Sequence, residues 1–321
     1  MLKRATASCL ILAVVSSTVP IFRSQSDDAG KAAEVKAVEF LKREVPAWSK
    51  NNSCFSCHNN GDAARALYRA SQQGYQFSVH VLTDTTAWLA EPQLWDKNKG
   101  DPRSSDERLA NLQFALALLT ALQTGHVIDK KPLQVAARRV AAGQGPSGAW
   151  LIDSGKAAGS PATYGSTLAT VMACRVLSES GSDEHKKALE SAESWLRRAP
   201  LNSISAAAAL LLAGNVQSAG MSRRSDCLAI IERAQTQDGG WGPYVDSPPE
   251  VFDTAMVLLA LAPEKTPGIA GRIHRARSFL AKQQDPDGGW PATTRPPGGE
   301  SYAQRLSTTG WATLALLATR E

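Results

Sequence analysis

Cysteine and histidine are both scarce in this sequence, with five of each among 321 residues. Nowhere after the N-terminus is there an apolar run of 18 residues, which excludes a membrane-spanning helix in the body of the chain. SAAAALLLAG from Ser205 reads instead as a buried helix. There is no dense Lys/Arg block interleaved with aromatics, so nucleic acid is not an expected partner. P-loop, G-x-S-x-G and HExxH patterns are missing too, which removes the common nucleotide-binding, serine-hydrolase and zinc-protease signatures. The N-terminus holds Lys3, Arg4, an apolar stretch from Ala5 to Val15 and small residues from Ser16 to Val19. That is the outline of a secretory signal peptide, placed at residues 1–24, with Cys9 ahead of its apolar core. The formal net charge of +5 includes Lys3, Arg4 and Arg23. Removing those three of the 35 basic residues leaves 32 against 30 acidic ones, so the mature chain is close to neutral. The expected location is periplasmic or extracellular.

Internal repetition organises the rest. CLAIIERAQTQDGGWGPY from Cys227 and ARSFLAKQQDPDGGWPAT from Ala276 are copies of one pattern, with Trp241 and Trp290 spaced 49 residues apart. A weaker copy, RRVAAGQGPSGAW, ends at Trp150. Similar steps backward reach Trp95, 55 residues before Trp150, and Trp48, 47 before Trp95, and a step forward from Trp150 reaches RRAPLNS near Pro200. Six turns result. Amphipathic segments precede them at 31–45, 76–90, 132–143, 183–198, 222–236 and 268–283, and more apolar ones follow, among them LANLQFALALLTAL from Leu109 and FDTAMVLLALA from Phe252. A striped helix faces solvent and a helix apolar all round is buried, so residues 31–320 are expected to form an all-α fold, a single α/α toroid (α6/α6 barrel) of six helix pairs. Gly-Gly ends a helix by supplying positive φ, and Trp covers the junction.

QTQDGGW and QQDPDGGW resemble the QW repeats of the terpenoid cyclase and protein prenyltransferase superfamily, whose members fold as α/α toroids. In that family the Gln stacks on the Trp. The clear matches cover residues 222–319, and the weaker repeats carry the likeness over nearly the whole mature chain. Squalene and hopene cyclases, which this chain resembles, protonate an alkene with the central Asp of D-x-D-D-T-A. The corresponding stretch here is EVFDTAMVL. Asp253, Thr254 and Ala255 fit the last three positions and Glu250 the first, which makes Glu250 and Asp253 the catalytic candidates. Phe252 occupies the place of the proton donor and cannot give up a proton; Asp253 is also a candidate cap for a helix beginning at Thr254. The aromatic content, 6%, is low for such an enzyme. The zinc-dependent prenyltransferases, related in fold, use Asp, Cys and His around one metal; here Asp226 and Cys227 are adjacent on an expected outer helix and His274 is remote from them in sequence.

SCFSCHNNG, Ser53 to Gly61, sits where the first turn should be and holds C-x-x-C-H. Chance would produce that match in about one chain in a thousand of this composition. It is the attachment signature of c-type haem: on a helical turn Cys54 and Cys57 reach the two vinyl groups and His58 binds the iron proximally. His80, 22 residues later, is the nearest distal candidate ahead of Met172, though a lone histidine in such a place is more often a surface residue. Arg65 and Arg69, one turn apart, are candidates for the haem propionates or a solvated helix face. A Cys54–Cys57 disulfide, another metal, or no special role remain open, as does a Cys174–Cys227 disulfide in the exported protein. The expectation is therefore an exported haem c protein acting in electron transfer or redox-linked binding, with an unidentified redox partner or small-molecule ligand. The alternatives are a terpenoid cyclase-like or carbohydrate-active toroid enzyme, and a non-catalytic interaction module.

Overall fold

The computed structural model describes residues 25–98, 106–152, 158–214, 223–295 and 298–320, with side chains from residue 29 onward. The expected signal segment, 1–24, and Cys9 lie outside the described residues. Among the described residues there are twelve α-helices and no strand. They are α1 (Gln25–Asn52), α2 (Ala64–Gln72), α3 (Thr83–Leu89), α4 (Glu107–Gln123), α5 (Lys131–Ala142), α6 (Gly165–Glu179), α7 (Lys186–Leu196), α8 (Ile204–Gly214), α9 (Arg224–Ala234), α10 (Val251–Leu261), α11 (Pro267–Gln283) and α12 (Tyr302–Ala318). A π-helical segment, Cys57–Ala63, runs directly into α2.

Composition decides which helices go inside. In α4, α6, α8, α10 and α12 the buried residues run round most of the circumference, whereas α5 and α7 bury a stripe. Connected helices pack antiparallel. The even-numbered helices therefore run one way, each against the next, from α2 through α4, α6, α8 and α10 to α12, and α12 returns to α2. The odd-numbered helices form the outer layer, and α1 packs on α11 across the same seam. The chain is an α/α toroid. Its ends are also tied by charge: the buried carboxylate of Glu34 on α1 accepts from Tyr75 Oη at 2.6 Å, Lys31 Nζ at 3.0 Å and Arg320 Nε at 2.9 Å.

Three turns repeat the same chemistry to within a few tenths of an ångström. The indole N–H of Trp150, Trp241 and Trp290 donates to the carbonyl ten residues earlier, at Val140, Ile231 and Leu280, over 2.7, 2.8 and 2.8 Å. Their backbone N–H groups donate to a threonine on the following inner helix, Thr170, Thr254 and Thr309. Gln144, Gln235 and Gln284 each donate twice. One bond goes to the glycine carbonyl of their own turn and the other to the next outer helix, at Ala188, Arg272 and Ala33. The glutamine is thus a clamp between neighbouring repeats. Gly239, at φ 93°, shows why the turn needs glycine: a Cβ there would stand 2.6 Å from the Arg275 carbonyl oxygen.

The weaker repeats depart from this pattern. Trp48 lies inside α1, which continues past Pro46 to Asn52, and its ring stacks on Tyr302 at 5.7 Å. Trp95 lies in a 3₁₀ turn, Pro92–Lys97, and its indole donates to Trp88 only seven residues back. The second outer helix shrinks to the seven residues of α3 preceded by a 3₁₀ turn at Val79–Val81.

Gln284 joins the last full turn to α1, so Gln284→Ala should loosen the seam between the chain ends. Losing both bonds should cost about 1–3 kcal/mol in urea unfolding and speed amide exchange in α1 more than in α7. Equal exchange in both helices would contradict the clamp.

Candidate functional site

The polar residues of the toroid converge inside the ring of inner helices. Asp62, fully buried, is the centre. It directly follows the C-x-x-C-H stretch, in the second turn of the helical run that begins at Cys57, and Gln113 of α4 and Ser307 of α12 bond to it. One carboxylate oxygen accepts from Gln113 Nε2 at 2.7 Å, Ser307 Oγ at 2.8 Å and Trp311 Nε1 at 3.2 Å. The other accepts from Arg65 Nη1 at 3.3 Å and from the Tyr164 hydroxyl. Five donors from four chain segments thus meet on one acid, which is how a buried carboxylate is made tolerable.

Close approach makes this possible. A Cβ on Gly61 would stand 3.1 Å from Gln113 Cβ, and one on Gly310 would stand 2.8 Å from the Asp62 carbonyl oxygen. Tyr164 is held at φ 60°, a strained value for a non-glycine residue, immediately before α6. Burial and the Asp62 charge push its phenol well above the ordinary range.

His58 joins the same network. Its Nδ1 is 2.7 Å from Ser307 Oγ. Since the serine proton goes to Asp62, the imidazole must donate from Nδ1–H, leaving Nε2 as the unprotonated nitrogen. Burial lowers the basicity of His58 and Asp62 opposes that. The stretch ahead of it is not the expected helical turn. Ser53 has φ 52°, the π-helix starts only at Cys57, and Ser56 caps it by accepting from the N–H of His58 at 3.2 Å. Phe55 is pinned instead by Asn98, which accepts from its N–H at 2.9 Å and donates to its carbonyl at 2.6 Å, and by a stack on Trp88 at 4.6 Å. Cys54 is half-buried and Cys57 is buried, its thiol pushed up to about 12 by burial and by Asp62.

A second carboxylate lies nearer the mouth. Glu250 is the residue before α10 and Asp253 stands in its first turn, so Asp253 does not cap a helix starting at Thr254. It is fully buried. Ser205 Oγ donates to it at 2.6 Å, and Arg295 pairs with both Asp253 and Glu250, reaching Glu250 at 2.9 Å. Burial raises the Asp253 carboxyl, and Arg295 and Ser205 pull it back only in part. Burial raises Glu250 as well, against Arg295. Ser205 also lines a cavity of about 190 Å³ bounded by Tyr164, Leu168, Trp195 and Tyr244. Phe252 is buried, its ring edge-on to Trp311 at 5.6 Å.

The remaining candidates are not assembled. His80 is exposed on its 3₁₀ turn, which packs on α1 and α3. Asp226 is exposed while Cys227 is buried, and no cluster of three metal-ligating side chains forms among the described residues. No disulfide joins Cys54 to Cys57 or Cys174 to Cys227. Arg65 is not on a solvated face; it is 6% exposed and stacks over Trp311 at 5.0 Å. No helix among the described residues is long and apolar enough to cross a membrane.

Native-state alkylation with iodoacetamide at pH 8 should label Cys54 and spare Cys57, Cys174 and Cys227, which are buried. Mass spectrometry of the digest reads the four sites. Fast labelling of Cys57 would contradict its place in the wall of the toroid.

Residues 198–321 match the family described as the squalene-hopene cyclase C-terminal domain. The chain is 38% identical over 90 residues to a drimenyl diphosphate synthase from Streptomyces showdoensis, a stretch that is 26% of this chain and 16% of that protein. Among solved structures, a type II terpene cyclase, MstE from Scytonema, in complex with geranylgeranyl dihydroxybenzoate, is 14% identical at a TM-score of 0.59, covering 92% of this chain and 98% of that one. A glycosidase is 12% identical at a TM-score of 0.55, covering 89% and 97%. At such identities the structural likeness concerns the fold. These findings overturn the expectation of an electron-transfer protein, and the terpenoid cyclase-like alternative fits them better. Locally, Cys54 lies outside the helix that begins at Cys57, and His58 is turned onto Ser307 and Asp62. The chain is an α/α toroid, and over residues 198–321 it is similar to the squalene-hopene cyclase C-terminal domain.

Proposed function

We propose that this protein is a terpene cyclase-like enzyme that protonates an isoprenoid alkene, with Asp253 as the proton source. The observation that carries the reading is the join between Asp253 and the cavity. The carboxyl is fully buried on α10 where the family's D-T-A falls, and the Ser205 hydroxyl that bonds it also lines the cavity. Arg295 and Glu250 set the environment of the acid, and Arg295 is the counter-charge for the carboxylate left after proton transfer. With the Asp253 carboxyl protonated and turned to donate to Ser205 Oγ, the serine would pass its own hydroxyl proton to the alkene carbon and take the carboxyl proton in its place; ring closure onto the cation and loss of a proton from a neighbouring carbon to water would complete the turnover. The resulting carbocation would lie among Tyr164, Tyr244 and Trp195, whose ring faces favour a cation. Phe252 packs on Trp311 and leaves the acid role to its neighbour.

The cavity is smaller than the roughly 300–1,000 Å³ that encloses a whole ligand of ordinary size. It is suited to the terminal isoprene unit of a short linear substrate, with the remainder lying across the open mouth. Incubation with geranyl diphosphate, farnesyl diphosphate and squalene, followed by gas chromatography and mass spectrometry, tests this. Product is expected from a short diphosphate and not from squalene. Asp253→Asn should lower the rate by about 10²–10⁴-fold. No product from any of the three, or undiminished turnover by Asp253→Asn, would sink the proposal.

A further inference from the structure

The opposite end of the lumen holds a separate arrangement that the acid site does not use. The C-terminal halves of the inner helices enclose a cavity of about 220 Å³. Its apolar wall is supplied by Met172, Leu212, Leu259, Leu314 and Leu317, with Trp311 at its inner end, and three arginines enter it: Arg65 and Arg69 from α2 and Arg175 from α6. Gathering three like charges in a space of that size is costly. Burial, and then Arg65 and Arg69, bring Arg175 down to about 10, and burial with Arg65 lowers Arg69.

Helix ends account for part of this. Six inner helices point their C-termini at this mouth, and the negative ends of their dipoles favour cations there. That argument explains a positive charge but not three guanidinium groups facing one another. The donor inventory is the second observation. Arg65 spends one N–H on Asp62 at 3.3 Å, and its Nε is buried without a partner. Arg69 bonds Gln72 at 3.0 Å and Gln123. For Arg175, Glu179 on the same helix is the acid that acts on it through space, and no side-chain hydrogen bond from Arg175 forms among the described residues. Guanidinium donors without acceptors, converging on a small cavity with an apolar wall, fit an oxyanion with a short apolar substituent.

We propose that this lumen cavity binds a small phosphate monoester, its phosphate held by Arg65, Arg69 and Arg175 and its alkyl group against Met172, Leu259 and Leu314. The site is separate from Asp253 and does not depend on the cyclase reading. Calorimetric titration of the full chain in a phosphate-free buffer, with n-butyl phosphate, inorganic phosphate and n-butanol as probes, tests it. Butyl phosphate is expected to bind about tenfold tighter than inorganic phosphate, and butanol not at all. Arg175→Gln should weaken butyl phosphate binding by about tenfold or more. In the absence of ligand it should melt no lower than the parent chain, because a repulsion is relieved. Asp253→Asn should bind as the parent does. Three results would each overturn the proposal: no heat with either phosphate, equal affinity for inorganic and butyl phosphate, or an Arg175→Gln variant that melts lower and binds unchanged.

Discussion

Six inner helices running in one direction impose the constraint on which the rest of the molecule depends. Their N-terminal ends gather backbone N–H groups and positive dipole ends at one mouth, and their C-terminal ends gather carbonyls at the other. Buried acids are favoured on the first side and buried bases on the second. The chain places Asp62, Asp253 and Glu250 toward the N-terminal mouth, and Arg65, Arg69 and Arg175 around the C-terminal cavity. Each acid then takes as many donors as the geometry permits: five on Asp62, and Ser205 with Arg295 on Asp253. The chemistry proposed for the mouth uses groups that the fold already has reason to hold there.

The ring is kept closed by small repeated devices rather than by one large interface. In the repeats at Trp150, Trp241 and Trp290 an indole, a threonine hydroxyl and a two-way glutamine tie an outer helix, an inner helix and the next outer helix together. Such an array depends on nearest neighbours. The first repeat can therefore exchange its tryptophan turn for the Cys54–His58 stretch without loss of the architecture. The Asn98 bonds to Phe55 and the Phe55–Trp88 stack fix that stretch instead.

The toroid was legible in the sequence because the repeat is periodic: glycine, tryptophan and the alternation of striped with wholly apolar helices each carry a local signal. The glutamine was legible as a residue but not as a clamp, since its second partner, Ala33 for Gln284, is at the other end of the chain. Trp48 and Trp95 were close in spacing yet belong to a continuous helix and a 3₁₀ turn, because tertiary packing overrode the pattern. The candidate site was legible only in part. Glu250 and Asp253 could be found by likeness to a motif, but Ser205 and Arg295, 48 and 42 residues from Asp253, could not. Asp62 had no motif of its own. Its partners at Gln113, Tyr164, Ser307 and Trp311 come from three other segments, and the only local hint was the small residue Gly61 beside it. The C-x-x-C-H stretch borders that site, and its His58 bonds Ser307, which in turn donates to Asp62.

The central claim is that burial outweighs Arg295 at Asp253, leaving a carboxyl that holds its proton more firmly than an ordinary aspartate. Titration of ¹³C-labelled aspartate carboxyls by NMR, with Asp253→Asn to assign the signal, measures this directly. The account predicts a midpoint for Asp253 above the ordinary 3.8, rising further in Arg295→Met. A midpoint at or below 3.8 in the parent chain would mean that the ion pair prevails over burial, and it would contradict the account.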